Sequence, residues 1–284
     1  MRTAPARSTK GDNENGDVER PTELSRHSDP PPQVAHAPHA PLTAYYASEQ
    51  ERANFVRQMF DNTATDYDSM ERILGFGQGS AYRGQALERA GLRSGMRIVD
   101  VGVGTGLVAR EAVRIVGDPR LVVGIDPSPG MMACARVPPG VSLIEGTAEA
   151  IPCADASFDF LSMGYALRHI GDLAIAFREF HRVMKPGARL CLLEITRPEK
   201  SIGGALIKAY IKHVVPVLAR IVGSAKDTGL LWRYYWDTIE ACVPPEQVLA
   251  TLEAVGFVGV RRHIETKALS ILAEYQATKP GELR

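Results

Sequence analysis

The chain has little cysteine, no net charge and no long uninterrupted apolar run. Its four cysteines, Cys134, Cys153, Cys191 and Cys242, stand far apart and form no C-x-x-C. That pattern excludes a disulfide framework and reads as separate small thiols in a reducing compartment. No His/Cys group has metal-ligand spacing and no H-E-x-x-H occurs, so no metal site is expected. His27, His36 and His39 are too sparse to be an exception. Lysine plus arginine number 33, as do aspartate plus glutamate. That balance removes the broad basic field by which proteins hold nucleic acid. The most apolar stretch, Ile202 to Val222, carries Lys208, Lys212, His213, Arg220 and Pro216, which disqualify it as a membrane span. No apolar core follows the first arginines, and Asp12, Glu14, Asp17, Glu19 and Glu23 count against a transit peptide. These absences predict a cytoplasmic protein, with residues 1–41, rich in Pro, Ser, Asn and charge, as a disordered tail.

What is present is organised around residues 97–107. Ile98, Val99 and Val101 read as a short buried parallel strand. Asp100 closes it, Gly102, Gly104 and Gly106 follow at every second position, and helical spacing resumes at Leu107. Glycines there let the backbone turn sharply and a ligand approach the main chain. The following helix start offers unpaired N–H groups. The dinucleotide pattern G-x-G-x-x-G fails, because its third slot is Leu107. The D-x-G-x-G-x-G that stands resembles motif I of the class I S-adenosylmethionine (SAM) methyltransferases. An acid such as Asp100 suits the cationic amine of that cofactor.

The alternation continues. Leu121 to Ile125 reads as a second strand ending at Asp126, where this architecture hydrogen-bonds ribose hydroxyls. Ser128 is placed to cap the next helix, and Met131 or Met132 to pack either on adenine or in the core. Val141–Glu145, Phe158–Met163 and Arg189–Ile195 are the third to fifth strands. Asp172 caps a helix that Lys185-Pro186-Gly187 stops. Before the first strand, helical spacing from Tyr45 to Met59 gives way to a polar turn through Asp61 and Asp68. That segment is either a lid or a capped surface helix. Residues 197–245 interrupt the alternation with two apolar helices, the second carrying Trp232, Tyr234, Tyr235 and Trp236. They either cover a hydrophobic pocket or pack on a sheet edge. Val258–Ile264 and Leu269–Tyr275 close the chain as an antiparallel hairpin. The expected fold is α/β, a doubly wound, mostly parallel seven-stranded sheet in one domain, residues 42–284.

Ordered blocks across the chain carry a family resemblance: Met59-Phe60-Asp61 with Tyr67-Asp68, the glycine loop, Thr147 to Pro152, Leu167-Arg168-His169, Val183 to Gly187, His213 to Pro216, and Tyr234 through Phe257. Together they resemble the ubiquinone/menaquinone biosynthesis C-methyltransferases, from about Phe55 to the end. The resemblance implies SAM as cofactor. It implies contacts to SAM from Asp100, Gly102, Gly104, Thr105, Gly106, Asp126, Thr147, Ala148 and Gly164. Thr147 replaces the family's asparagine, and Gly164 its serine. Arg168 matches the family arginine, whereas His169 stands for its asparagine. These two are the candidate catalytic residues. Arg168 is permanently charged and suited to hold a phenolate, and His169 is a residue that exchanges a proton near neutral pH.

The reaction so implied is methyl transfer to a hydrophobic phenol or quinol, at ring carbon. O- or N-methylation of a lipid or secondary metabolite, and a SAM-binding scaffold without turnover, are the alternatives. The expected partner is a hydrophobic small-molecule acceptor. A lipid-like acceptor leaves room for peripheral membrane contact, and a homodimer stays open.

Overall fold

The computed structural model describes residues 35–74, 79–196, 209–210, 228–265 and 271–281. In chain order the main elements are α1 (Glu49–Leu74), α2 (Gly79–Ala90), β1 (Ile98–Val101), α3 (Leu107–Val116), β2 (Val122–Asp126), α4 (Pro129–Ala133), β3 (Ser142–Glu145), β4 (Phe158–Gly164), α5 (Leu173–Val183), β5 (Met184–Ile195), α6 (Thr228–Ala241), α7 (Pro245–Val255), β6 (Val258–Glu265) and β7 (Leu272–Thr278). The strands form one seven-stranded sheet in the order β3-β2-β1-β4-β5-β7-β6. The first five are parallel, and β7 runs antiparallel between β5 and β6.

Alternate residues of the central strands feed two cores, one per face. Val99, Val101, Ile125, Leu161 and Leu192 pack with Phe177 and Phe180 of α5 and with Val248 and Leu252 of α7. Ile98, Val122, Phe160, Cys191 and Leu193 pack with Leu87 of α2 and Ala109 and Ala112 of α3. β1 and β2 are buried at every position and carry no polar side chain except the carboxylates of Asp100 and Asp126. The chain order reverses between β1 and β4, so the loops leaving β1 and β4 open a crevice at the carboxyl edge. A third cluster, Tyr46, Met59, Leu231, Trp232, Tyr234, Tyr235 and Ile239, joins α1 to α6.

Three expectations change. The polar stretch 61–68 is not a turn: α1 continues through it for 26 residues. Asp61 and Asp68 there accept hydrogen bonds from Ser128, Gly130 and Thr105 of the neighbouring loops, so the loss of apolar periodicity reflects polar contacts rather than a break. The tail also ends earlier than position 41. Ala35 N–H donates to Thr251 Oγ1 at 2.9 Å, His36 O accepts from Leu173 N–H at 2.6 Å, and Pro38 O accepts from Val243 N–H at 2.7 Å. Residues 35–40 are a strap over α5 and α7, held by main-chain bonds that leave no apolar pattern to read. Lys185-Pro186-Gly187 lies inside the long β5, α5 having already ended at Val183. Asp172 does cap α5, accepting from Ile175 N–H. Of the expected helical insertion, Ile202–Val222 falls outside the described residues apart from 209–210, whereas its aromatic second helix is α6.

Candidate active site

The loop after β1 has the geometry its glycines allow. Gly102, Gly104 and Gly106 all have positive φ, at 71°, 53° and 85°. Gly104 is also short of room, since a Cβ there would lie 3.1 Å from Met131 Cε. Met131 is buried against this loop, whereas Met132 packs into the α2/α3 core. Asp126, at the end of β2, clasps the loop: one oxygen accepts from Gly104 N–H at 2.7 Å and the other from Ser128 N–H at 2.9 Å. Burial pushes its carboxyl up to about 6, against the pull of those two amides. A carboxylate has about four acceptor positions, so two amides leave capacity for ribose hydroxyls. Ser128 caps α4 through Met131 N–H.

Asp100 sits deeper than the expectation of a direct amine contact required. It is 1 % exposed, accepts from Ser162 Oγ on β4 at 2.7 Å, and leaves Oδ2 without a partner. Burial raises it to about 7, opposed by Ser162 and by the Ala109 amide at the start of α3. Asp100 therefore braces the loop against β4 and α3. Thr147 is exposed on a tight turn closed by its bridge to Ala150, and Ala148 is buried beside it. Gly164 ends β4, where a Cβ would meet Val108 Cγ2 at 2.5 Å. A serine there would require the Val108 side chain to move.

Helix α1 closes over this crevice with two acids that sequence reasoning placed in a motif but gave no role. Asp61 accepts from Ser128 Oγ at 2.5 Å and from Gly130 N–H at 2.8 Å, at the start of α4. Asp68 accepts from Thr105 Oγ at 2.5 Å and pairs with Arg110 at 3.7 Å. Their seven-residue spacing puts both on one face of α1. Asp68 thus ties α1 directly to the glycine loop.

The turn after β4, Leu167–His169, carries the other half of the site. Tyr165 enters it at φ 61°, a strained value for a residue with a bulky side chain. Arg168 is 1 % exposed, forms an ion pair with Glu194 at the end of β5, and lies 4.0 Å from the centre of the Tyr235 ring. Arg52 of α1 holds this turn from outside, donating to Ile170 O at 2.7 Å. His169 lies edge-on to Phe60 and stacked on Tyr234. Burial, with Arg168, Arg52 and His39 nearby, holds its ring well below the usual histidine range. His169 is therefore a neutral wall of the site and not a group that exchanges protons near neutral pH. Several buried polar atoms here have no hydrogen-bond partner: Arg168 Nε and Nη2, Glu194 Oε2, both His169 nitrogens, Trp232 Nε1 and Tyr234 OH. A second pair, the buried Arg83 with the half-buried Glu71, sits next to Tyr165. Glu194, Glu71 and Arg83 were missed because each is one charge in an ordinary strand or helix; only their meeting in space marks them.

A parallel sheet with a glycine loop after β1, an acid ending β2 and a crevice at the β1/β4 reversal defines a nucleoside-binding α/β protein of the class I methyltransferase fold. Solved structures share it. A SAM-dependent methyltransferase of Thermotoga maritima, described as a possible histamine N-methyltransferase, superposes with a TM-score of 0.54 at 21% identity, over 78% of this chain and 99% of that one. Phosphoethanolamine N-methyltransferase 2 of Haemonchus contortus, solved with phosphomonomethylethanolamine and S-adenosylhomocysteine, gives 0.58 at 17% identity, over 83% and 61%. Sequence is more specific than shape: residues 46–279 match the ubiE/COQ5 methyltransferase family, and the chain belongs to it. Demethylmenaquinone methyltransferase of Chlorobaculum parvum is 34% identical over 84% of this chain and 98% of its own length. The ubiquinone/menaquinone biosynthesis C-methyltransferase UbiE of Syntrophotalea carbinolica is 32% identical over 80% and 95%. The protein is a SAM-dependent methyltransferase.

Proposed function

We propose that the acceptor is a hydrophobic quinol or phenol and that the methyl group goes to a ring carbon. The observation that supports this reading is the cluster around Arg168. Aromatic side chains, Phe60, Tyr234 and Tyr235, pack there with His169, and several polar atoms among them are buried without protein partners. Such atoms are costly unless a ligand satisfies them. An aromatic ring with an oxygen fits both materials. The relatives named above methylate quinone precursors by their descriptions.

The residues present fit SAM. Gly102, Gly104 and Gly106 leave the loop open to close approach, Asp126 faces the ribose position, and Asp100 retains an unpartnered buried oxygen under the loop. Thr105 and Ala148 complete the rim, with Asp61 and Asp68 of α1 across from them. Bound SAM supplies an electrophilic sulfonium methyl. The protein's contribution is alignment in a water-poor chamber and a fixed positive charge, Arg168, for the acceptor's oxyanion. A charged guanidinium stabilises the phenolate that makes the adjacent ring carbons nucleophilic.

Residues 42–284 form the methyltransferase domain in this reading, with α6 of the 197–245 insertion as the acceptor's cover. A prenylated acceptor would bring the protein to a membrane surface; no helix among the described residues is long and apolar enough to cross one. Incubation with radiolabelled SAM and a panel of quinols and phenols tests the reading. Label on a ring carbon is expected. Label on oxygen, or turnover only with amines, overturns it.

A further inference from the structure

We propose that Glu194 is the base that removes the ring proton of the acceptor, and that Arg168 orients it for that step. The inference rests on ring-carbon methylation as the reaction. When the ring's electron pair forms the new carbon–carbon bond, the methyl–sulfur bond breaks and its pair leaves on sulfur. The methylated carbon then carries both the methyl group and a hydrogen. Its C–H bond must break, the pair returning to the ring and the proton passing to a base.

The other titratable groups packed around Arg168 and His169 fail that role. Arg168 stays protonated. His169 is neutral but weakly basic, for the reasons given above. The Tyr67, Tyr165, Tyr234 and Tyr235 phenols are all pushed up by burial and remain protonated. Glu71 is held by Arg83. Among the described residues, only two carboxylate oxygens are buried without a partner, Asp100 Oδ2 and Glu194 Oε2. Asp100 lies under the glycine loop, bonded to Ser162.

Glu194 is built for the task. Its Oε1 accepts from Arg168 and, at 2.8 Å, from Ile195 N–H. Two bonds on one oxygen lock the carboxylate and leave Oε2 bare. Arg168 favours its ionised form, and burial makes that form more basic. The free Nε and Nη2 of Arg168 belong to the same ion pair as that oxygen. A phenol presents the same pairing, an oxygen next to the carbon it activates. Arg168 holds the oxygen, and Glu194 takes the proton from the neighbouring carbon.

The test uses the full-length protein, SAM, and a short-chain demethylmenaquinol deuterated at its open quinone-ring carbon. Wild type should show little isotope effect. Glu194→Gln should lower kcat about 100- to 10,000-fold, introduce a large primary isotope effect, and change the calorimetric affinities for SAM and the quinol less than about threefold. Glu194→Asp keeps the charge beside Arg168 but withdraws the oxygen, and should show the same isotope effect with a melting temperature near that of wild type. An unchanged isotope effect in a folded Glu194→Asp, with turnover retained, overturns the assignment. Wild-type product methylated on oxygen instead overturns the ring-carbon reading itself, so the two failures are distinct.

Discussion

Around the glycine loop, polar groups other than Asp100 Oδ2 find partners close at hand. Gly104 and Ser128 amides share Asp126, Thr105 bonds Asp68, and Ser128 and Gly130 share Asp61. Around Arg168 the reverse holds: guanidinium nitrogens, a carboxylate oxygen, an imidazole and an indole N–H are buried without partners. The first region is a self-consistent cradle that stands without ligand. The second carries a standing desolvation cost, which a bound polar group would relieve. In the proposed reading, cofactor binding is thereby separated from acceptor recognition, with both along one sheet edge.

Substitutions can break that contrast in decreasing order of effect. Arg168→Met should cost the most, about 3–5 kcal/mol of stability, because it strands the Glu194 charge in the interior. Chemical denaturation should show Arg168→Met/Glu194→Leu recovering most of that loss while staying inactive. Full stability of the single variant would mean that the pair is not buried as described.

Gly104→Val attacks the other region. Positive φ in a β-branched residue and the 3.1 Å approach to Met131 together should cost about 2–4 kcal/mol. Calorimetry should find no SAM binding in a protein whose circular dichroism is retained. Normal binding would place the cofactor elsewhere.

Asp100 offers a pH test. Its folded value, about 7, lies above the ordinary 3.8, so the folded state binds the extra proton. Its stabilising contribution is full below about pH 4 and lost as pH rises through 7. Asp100→Asn should flatten that decline by on the order of 2–3 kcal/mol, seen in denaturation at pH 5 against pH 8. A slope equal to wild type would show that the carboxyl ionises freely.

Asp126→Ala should weaken SAM by about 1–3 kcal/mol through lost pairing of the Gly104 and Ser128 amides and of the ribose. The acceptor's KM should move far less; equal effects on both would erase the separation between the regions. The smallest change should come from removing residues 1–40. Loss of the strap's bonds to α5 and α7 should lower stability by about 1–2 kcal/mol and leave SAM affinity unchanged. Removal of residues 1–34 alone, with no difference in melting temperature from removal of 1–40, would show that the strap is not docked in solution.

Much of the cofactor region was legible because its chemistry is local. Strand, glycine loop and helix are contiguous, and the second acid follows at the spacing a βαβ unit imposes. Helix α1 was misread in part, since its second half turns polar just where Asp61 and Asp68 reach the loop. Residues 35–40 were hidden because main-chain bonds carry no side-chain signature.

The sequence by itself determined the doubly wound sheet, the glycine loop between its two acids and the family, for these rest on periodicity, glycine stereochemistry and ordered motifs. Only the tertiary structure decided which charges meet. Arg168 comes from the turn after β4, Glu194 from the end of β5, Tyr234 and Tyr235 from α6, and Phe60 from α1. No spacing rule joins positions so far apart in the chain. Neither does composition reveal burial, the property that holds His169 neutral and leaves one oxygen of Glu194 bare.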